Sequence, residues 1–193
     1  MINLDEYEIF RSHKSTLKNT SHDAHGSPKY MTDSELDVVD FDAVKEEYAK
    51  SLRLSEIPKS NDAVFDSGLG APVFLEFKNG FIDQKTAFDL QKKIYDSVLI
   101  FSDITSCTVS ELRKIAEYIL VYNEDDNIDN KDSELKIKTQ VQSSPAYVGF
   151  LKTIARYAND EYIGFGLRRF SKYCFKAVHT FTRNEFAIYL ETL

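Results

Sequence analysis

The sequence predicts an α/β (α+β) fold in which helices flank a mixed central sheet of about four to five strands. Three observations lead to this prediction. Hydrophobic residues make up 42% of the 193 residues and aromatic residues 13%, as in an ordinary packed core. Two strand-like runs, NDAVFD and PVFLEFK, are separated by a glycine-bearing turn, which is typical of a hairpin. A long amphipathic helix and another apolar strand follow this hairpin.

Residues 1–39 are predicted to be an N-terminal segment, largely flexible or loop, ahead of a single domain at 40–193. Residues 11–37 are polar and have almost no apolar periodicity, which favours a flexible arm or a long surface loop. His22 and His25 lie in it without an acid or cysteine partner at helical spacing, so a solvated loop is favoured over a metal site.

The first helix of the domain is predicted over about 42–54. Asp40 or Asp42 can act as its N-cap. Val44 and Tyr48 lie four residues apart, as on one face of a helix that packs on the sheet.

The second strand of the hairpin is apolar on both faces apart from Glu76 and Lys78, as in a central, buried strand. Residues two apart on a strand project to the same face, so Glu76 and Lys78 should lie side by side. Asp62 lies fourteen positions upstream, where the partner strand begins, and Asp66 in the turn is the alternative acid. Charged residues among buried ones indicate a functional site. An exposed edge-strand ion pair, worth about 0–1 kcal/mol, is the structural alternative.

A long helix is predicted over about 84–102, because Asp83 is a suitable N-cap. Lys85, Lys92 and Lys93 on this helix can line a path for phosphate groups, but a solvated helix face is the more usual arrangement. The apolar stripe of the helix recurs at helical spacing and comprises Ala87, Leu90, Ile94, Val98 and Phe101.

Two elements are predicted after the long helix. A capping-box pattern from Thr108 to Glu111 opens a short helix. Residues 118–123, YILVYN, have the apolar, β-branched composition of a strand in a parallel sheet. Residues 124–136 then form an acidic loop that lacks the glycine and the final glutamate of an EF-hand, which favours a solvated loop.

The C-terminal part is predicted to hold two helices and a strand. Ser144 caps a helix over about 145–158, with proline at its first position. Residues 173–181 form a strand, and a capping box at Thr182 opens the last helix. His179 has no nearby nucleophile and is interpreted as a core or surface residue.

Composition excludes several classes of protein. A net charge of −7 and a pI near 5.2 argue against a general nucleic-acid coat protein. Cys107 and Cys174 are far apart and form no CxxC motif, so reduced thiols in a cytoplasmic protein are expected rather than a zinc site. The N-terminus lacks a signal-peptide pattern, and no apolar run is long enough to span a membrane. Serine-hydrolase, P-loop and dinucleotide-binding motifs are absent from the sequence.

Asp62 and Glu76 suggest metal chemistry if they face the same cleft. Two carboxylates can hold Mg²⁺ or Mn²⁺, which prefer oxygen ligands. The metal lowers the pKa of a bound water and stabilises charge on a phosphoryl oxygen. Lys78 can orient the nucleophile or neutralise charge that develops on phosphate. These residue types are the ones that metal-assisted hydrolysis of a phosphodiester requires.

The pattern of Asp62, then Glu76-x-Lys78 on a hydrophobic strand, resembles the motif of the PD-(D/E)xK nuclease superfamily. The resemblance covers about 42–123 and implies a restriction-endonuclease-like core, in which a helix follows the hairpin. It implies that Asp62 and Glu76 are metal ligands and that Lys78 is the catalytic lysine. Asn61 stands before the acid where the motif has proline.

Further residues match features of this superfamily. Gln91 and Tyr95 have the Gln-x-x-x-Tyr spacing of its RecB-like branches, although a helix packed on a sheet explains the same spacing. The preceding helix often supplies one more acidic ligand, for which Glu46 or Glu47 would serve. The core usually has three strands before its helix, and the sequence predicts only two. The first strand is expected within residues 1–10 or not at all.

Two functions follow as hypotheses. The first is a divalent-metal-dependent nuclease, or a domain derived from one, that acts on nucleic acid and fits a role in bacterial or mobile-element defence. The second is a non-enzymatic binding protein on the same scaffold, such as an immunity, antitoxin-type or regulatory partner. Its acidic surface, including the loop at 124–134, would suit a basic protein.

Overall fold

The computed structural model describes residues 2–26, 28–68, 70–127 and 163–193. These residues form an open mixed sheet of six strands, which lie in the sheet in the same order as in the chain. The strands are β1 (Lys14–Thr16), β2 (Asp37–Asp40), β3 (Ala63–Asp66), β4 (Pro72–Lys78), β5 (Glu117–Tyr122) and β6 (Ala177–Thr182). The helices are α1 (Glu8–Ser12), α2 (Leu17–Thr20), α3 (Phe41–Ser51), α4 (Gln84–Thr105), α5 (Val109–Ile115) and α6 (Arg183–Leu190).

The pairing of neighbouring strands changes from antiparallel to parallel at β4. Strands β1 to β4 are antiparallel to their neighbours, whereas β4, β5 and β6 are parallel. A short turn suffices between the antiparallel strands β3 and β4, but a parallel pair needs a long crossover, which α4 and α5 provide between β4 and β5. The fold is therefore a mixed sheet with helices, as predicted, but it has six strands rather than four to five.

The extra strands lie in the segment that was predicted to be loop. Lys14 pairs with Val39 across β1 and β2, and Val39 pairs with Val64 on β3. Leu17 and Val38 are buried. The prediction of a flexible arm or surface loop over 11–37 is therefore wrong for these stretches. Strands of three and four residues are too short to show the alternation by which a strand is recognised in sequence.

Most of the predicted caps and helices are confirmed. Asp40 caps α3 and Asp83 caps α4, each through a side chain that accepts from a backbone N–H. Thr108 and Thr182 open α5 and α6 with complete capping boxes. Strand β5 is parallel, as predicted, and β6 begins four residues later than expected. The predicted helix at 145–158 lies outside the described residues, as does most of the acidic loop.

Alternation along β4 divides the core between the two faces of the sheet. Val73, Leu75 and Phe77 point to the face covered by α2 and α6. Phe74 and Glu76 point to the opposite face, which α1, α3, α4 and α5 cover. Glu76 therefore lies beneath α4, in one of the most buried parts of the protein.

Two further observations concern the state of the cysteines and the helices that could cross a membrane. Both cysteines are buried and unpaired. In the described ranges, no helix is both long and apolar enough to cross a bilayer.

Candidate functional site

Asp62 is held at the start of β3 by the backbone of β4. Its N–H donates to the Leu75 carbonyl at 3.0 Å, and its carboxylate accepts from the Phe77 N–H at 2.7 Å. The side chain is 16% exposed. These bonds aim the carboxylate along the edge of β4 toward Glu76.

The structure brings the two predicted acids together around a lysine. The Lys93 ammonium lies 2.6 Å from Glu76 Oε1 and 3.2 Å from Asp62 Oδ1. Glu76 is only 2% exposed and Lys93 is 27% exposed. Charge-assisted hydrogen bonds of this length are among the stronger polar contacts in proteins. We call these three side chains the acid–lysine cluster.

The sequence left two interpretations of the three lysines on α4, namely a path for phosphate groups or a solvated helix face. Lys85 and Lys92 are exposed, as expected for a solvated helix face. Lys93 lies on the flank of the helix beside the buried Ser97, one turn further on, and reaches inward. The lysine that contacts both carboxylates is therefore on α4 and is not Lys78.

Burial and neighbouring charges shift the pKa values of the two acids. Burial, with a further contribution from Asp62, raises the pKa of Glu76 to about 8, although the Lys93 ammonium opposes the rise. Burial likewise raises the pKa of Asp62. Burial alone would lower the pKa of Lys93, but Glu76 and Asp62 outweigh it and raise that pKa, so the ammonium stays charged at neutral pH. The cluster retains a proton more readily than two exposed carboxylates would.

The Asn61 side chain lies next to the acid–lysine cluster, and its amide oxygen has no hydrogen-bond partner among the described residues. Its backbone N–H donates to Ser97 Oγ at 2.8 Å, and its Nδ2 donates to Glu76 Oε2 at 3.4 Å. Within the described residues its buried Oδ1 has no hydrogen-bond partner, nor does the buried hydroxyl of Tyr118. The charges of Glu76 and Asp62 add to burial in raising the pKa of Tyr118, so this ring lies near both acids. Buried polar atoms without partners are rare and indicate a site for a ligand or water.

Glu46 and Glu47 are placed on the outer side of α3. Glu46 lies 3.1 Å from Lys45, and Glu47 lies 2.8 Å from His13. Both side chains are more than half exposed, at 57% and 52%. Their contacts are therefore those of surface ion pairs rather than of the acid–lysine cluster.

The acid of α3 that acts on the cluster is Asp42. Its charge raises the pKa of both Asp62 and Lys93. It accepts a hydrogen bond from the Ser60 hydroxyl, which places it beside the loop that leads to Asn61. Asp42 was predicted only as a possible helix cap, because nothing in its spacing from Asp62 along the chain indicates that the two residues are close in space.

Lys78 lies at the end of β4, on the same face as Glu76. It is half-buried, and its ammonium has no ion-pair partner among the described residues. Its carbonyl accepts from the Asn123 N–H at 3.0 Å, which ties the ends of β4 and β5 together. Lys78 therefore offers a positive charge that the protein does not neutralise within the described part of the chain.

Gln91 and Tyr95 are on the other flank of α4. Successive helical residues differ by about 100°, so each is about 200° around the axis from Lys93. Arg169 donates to Gln91 Oε1 at 3.3 Å and to the Tyr95 hydroxyl at 3.0 Å. The Tyr95 ring packs against Phe170 with centroids 5.2 Å apart. The structure thus separates this pair from the acids.

The donor set suits a hard divalent cation only in part. Within the described ranges, no group of three or more His, Cys, Asp or Glu side chains is arranged to hold a metal. Asp62 and Glu76 do supply two carboxylates, and Asn61 Oδ1 is a buried oxygen without a partner. Mg²⁺ is commonly held by one or two carboxylates and completed by water and substrate phosphates. These oxygen donors fit Mg²⁺ or Mn²⁺ in chemistry, whereas the Lys93 ammonium already contacts both carboxylates.

Comparisons with protein-family models, curated proteins and solved structures find no match to this chain.

Proposed function

We propose that this protein is a divalent-metal-dependent nuclease, or a domain derived from one. The observation that carries the proposal is the convergence of Asp62 and Glu76 at one buried position, next to the orphan oxygen of Asn61. A protein buries two carboxylates together only when a cation or a proton compensates them. Clusters of this kind, with perturbed pKa values, are concentrated at functional sites.

Each residue has a role in this proposal. Asp62, Glu76 and Asn61 Oδ1 would hold Mg²⁺ or Mn²⁺, and Asp42 adds negative charge that favours a cation. When bound, the metal activates water and stabilises charge on a phosphoryl oxygen. Lys78, whose ammonium has no ion-pair partner in the described chain, binds a phosphate oxygen of the nucleic acid. The cytoplasm is the compartment in which two unpaired cysteines are expected.

The order of the strands supports the same proposal. The resemblance to the PD-(D/E)xK superfamily calls for three strands before the helix, and the sequence indicated two. Strands β2, β3 and β4 are three antiparallel neighbours that precede α4, followed by the parallel strand β5. Gln91 and Tyr95, on the other flank of α4, hold Arg169 and are assigned a structural role.

Calorimetric titration of Mn²⁺ and Mg²⁺ tests the proposal. The wild type is compared with Glu76→Gln and Asp62→Asn, and with Glu56→Gln as an exposed control, with circular dichroism to establish folding. We expect binding in the wild type and the control and loss of binding in both site variants. Cleavage of single- and double-stranded DNA and RNA, with and without chelator, then identifies the substrate. Absence of binding in the folded wild type would rule out an active metal nuclease.

One observation favours the second candidate function, a non-enzymatic binding protein. Lys93, together with the proton that Glu76 retains at neutral pH, already compensates the two acids without a metal. The net charge of −7 suits a basic protein partner. This function predicts no response to divalent cations, and stabilisation by the partner instead.

A further inference from the structure

The position of the Lys93 ammonium has a consequence for the affinity of the site. It contacts one oxygen of Glu76 at 2.6 Å and one of Asp62 at 3.2 Å. The second oxygens of the two carboxylates already accept from the Phe77 N–H and from Asn61 Nδ2. A divalent cation held by these two side chains would therefore compete with Lys93 for Asp62 Oδ1 and Glu76 Oε1. The ammonium and the cation therefore cannot both occupy the space between the acids at full contact.

The electrostatics require one of the two. Glu76 is almost fully buried, and Asp62 brings a second negative charge into its surroundings. Buried charges without compensation cost several kcal/mol each. Lys93 supplies the compensation when no metal is present. A bound metal would supply it instead, and would then repel the ammonium.

The mobility of the three side chains differs. Glu76 is 2% exposed on a central strand, and Asp62 is held by the Phe77 N–H, so neither side chain has room to turn away. Lys93 is 27% exposed at the flank of α4 and carries a flexible four-carbon stem. Exchange of cations therefore requires movement of Lys93 alone.

We infer that Lys93 is an internal competitor for the divalent-cation site, and that cation binding displaces its ammonium from Asp62 and Glu76 toward solvent. This inference rests on the proposed function, since it assumes that the two acids bind a cation. Lys93 then sets the affinity of the site. Lys93 is a positioning and affinity-determining residue, distinct from the strand lysine Lys78.

Calorimetric titration of Mn²⁺ into Lys93→Met tests the inference, with Lys92→Met as the matched control on the exposed side of the same helix. We expect Lys93→Met to bind Mn²⁺ about tenfold more tightly than wild type, because a competing charge in direct contact is removed. Lys92→Met should bind as wild type does. Equal affinity in all three proteins overturns the inference.

A second measurement uses the wild type and does not depend on the folding of a variant. Lysines are acetylated briefly with a succinimidyl ester, with and without saturating Mg²⁺, and the extent at each site is read by mass spectrometry. Lys93 should be protected without Mg²⁺ and become severalfold more reactive with it, while Lys92 stays unchanged. Equal protection of Lys93 in both states contradicts displacement.

The outcomes separate the inference from the proposed function. Cation binding in wild type that Glu76→Gln abolishes, together with no gain in Lys93→Met, retains the nuclease proposal and removes the competition. Binding in Lys93→Met alone supports the competition and shows that the native site is closed by its own lysine. Binding in neither protein rejects both.

Discussion

The two flanks of α4 carry polar residues at neighbouring positions but use them in different ways. On one flank, Lys93 reaches Glu76 and Asp62 in the interior. On the other, Gln91 and Tyr95 accept hydrogen bonds from Arg169 near the surface. The first flank concentrates three buried or half-buried charges, whereas the second joins one cation to two neutral side chains.

This contrast indicates which flank of α4 carries a functional site. Hydrogen bonds from an arginine to neutral groups near solvent cost little desolvation and contribute on the order of 1 kcal/mol each. A buried pair of acids is costly, and hydrophobic residues in its place would often be as stable or more so. The acid–lysine cluster therefore needs a functional explanation. The Gln91–Tyr95 flank is explained by packing.

The largest expected effect is the loss of the compensating charge. Without divalent cations and at about pH 8.5, Lys93→Met should lower the free energy of unfolding by about 3 kcal/mol, because the buried Glu76 and Asp62 lose the ammonium that compensates them. Urea denaturation measures this change. Lys92→Met should stay within about 0.5 kcal/mol of wild type. Similar losses in both variants would show that the cluster contributes no special stability.

The second-largest effect is expected in the pH dependence of the stability. The folded pKa of Glu76 is raised to about 8, from an ordinary value of 4.5. Between these values the folded state binds more protons than the unfolded state. The contribution of this group is full below the lower value and falls as pH rises toward the upper one, by at most about 1.4 kcal/mol per pH unit. Glu76→Gln should flatten the decline in thermal stability over this window. An unchanged slope would contradict the assignment.

A smaller effect is expected on the opposite flank. Tyr95→Phe removes one hydroxyl that accepts from Arg169 and keeps the ring against Phe170. We expect a loss of about 1 kcal/mol in the free energy of unfolding. Calorimetry should find the Mn²⁺ affinity of Tyr95→Phe unchanged. A clear loss of Mn²⁺ affinity would join the two flanks into one site.

The smallest effects distinguish the acids of α3. Asp42→Asn removes a charge near the cluster, so its Mn²⁺ affinity should fall severalfold. Glu46→Gln removes only an exposed carboxylate that pairs with Lys45. The Mn²⁺ affinity and the stability of this variant should therefore match those of the wild type. Parallel titrations of the two variants measure this. A larger loss of Mn²⁺ affinity in Glu46→Gln than in Asp42→Asn would indicate that Glu46 is the additional acidic ligand that the resemblance implies.

Much of the architecture was predictable because its signals are local. The caps at Asp83 and Thr108 each accept from an N–H group three residues away, so a short stretch of sequence is enough to recognise them. The apolar run of β5 and the stripe of α4 each repeat within one element. Strands β1 and β2 were missed because three or four residues do not establish a period, and their pairing joins distant segments.

The residue types of the site follow from the sequence, as does the strand face shared by Glu76 and Lys78, because alternation along a strand is a property of the local backbone. Which lysine compensates the acids, and which acid of α3 lies near them, depends on tertiary packing. Lys93 is 17 positions from Glu76 along the chain. Contacts over such separations depend on how α4 is oriented over the sheet, and that orientation is set by the packing of the whole apolar stripe rather than by the charged residues themselves.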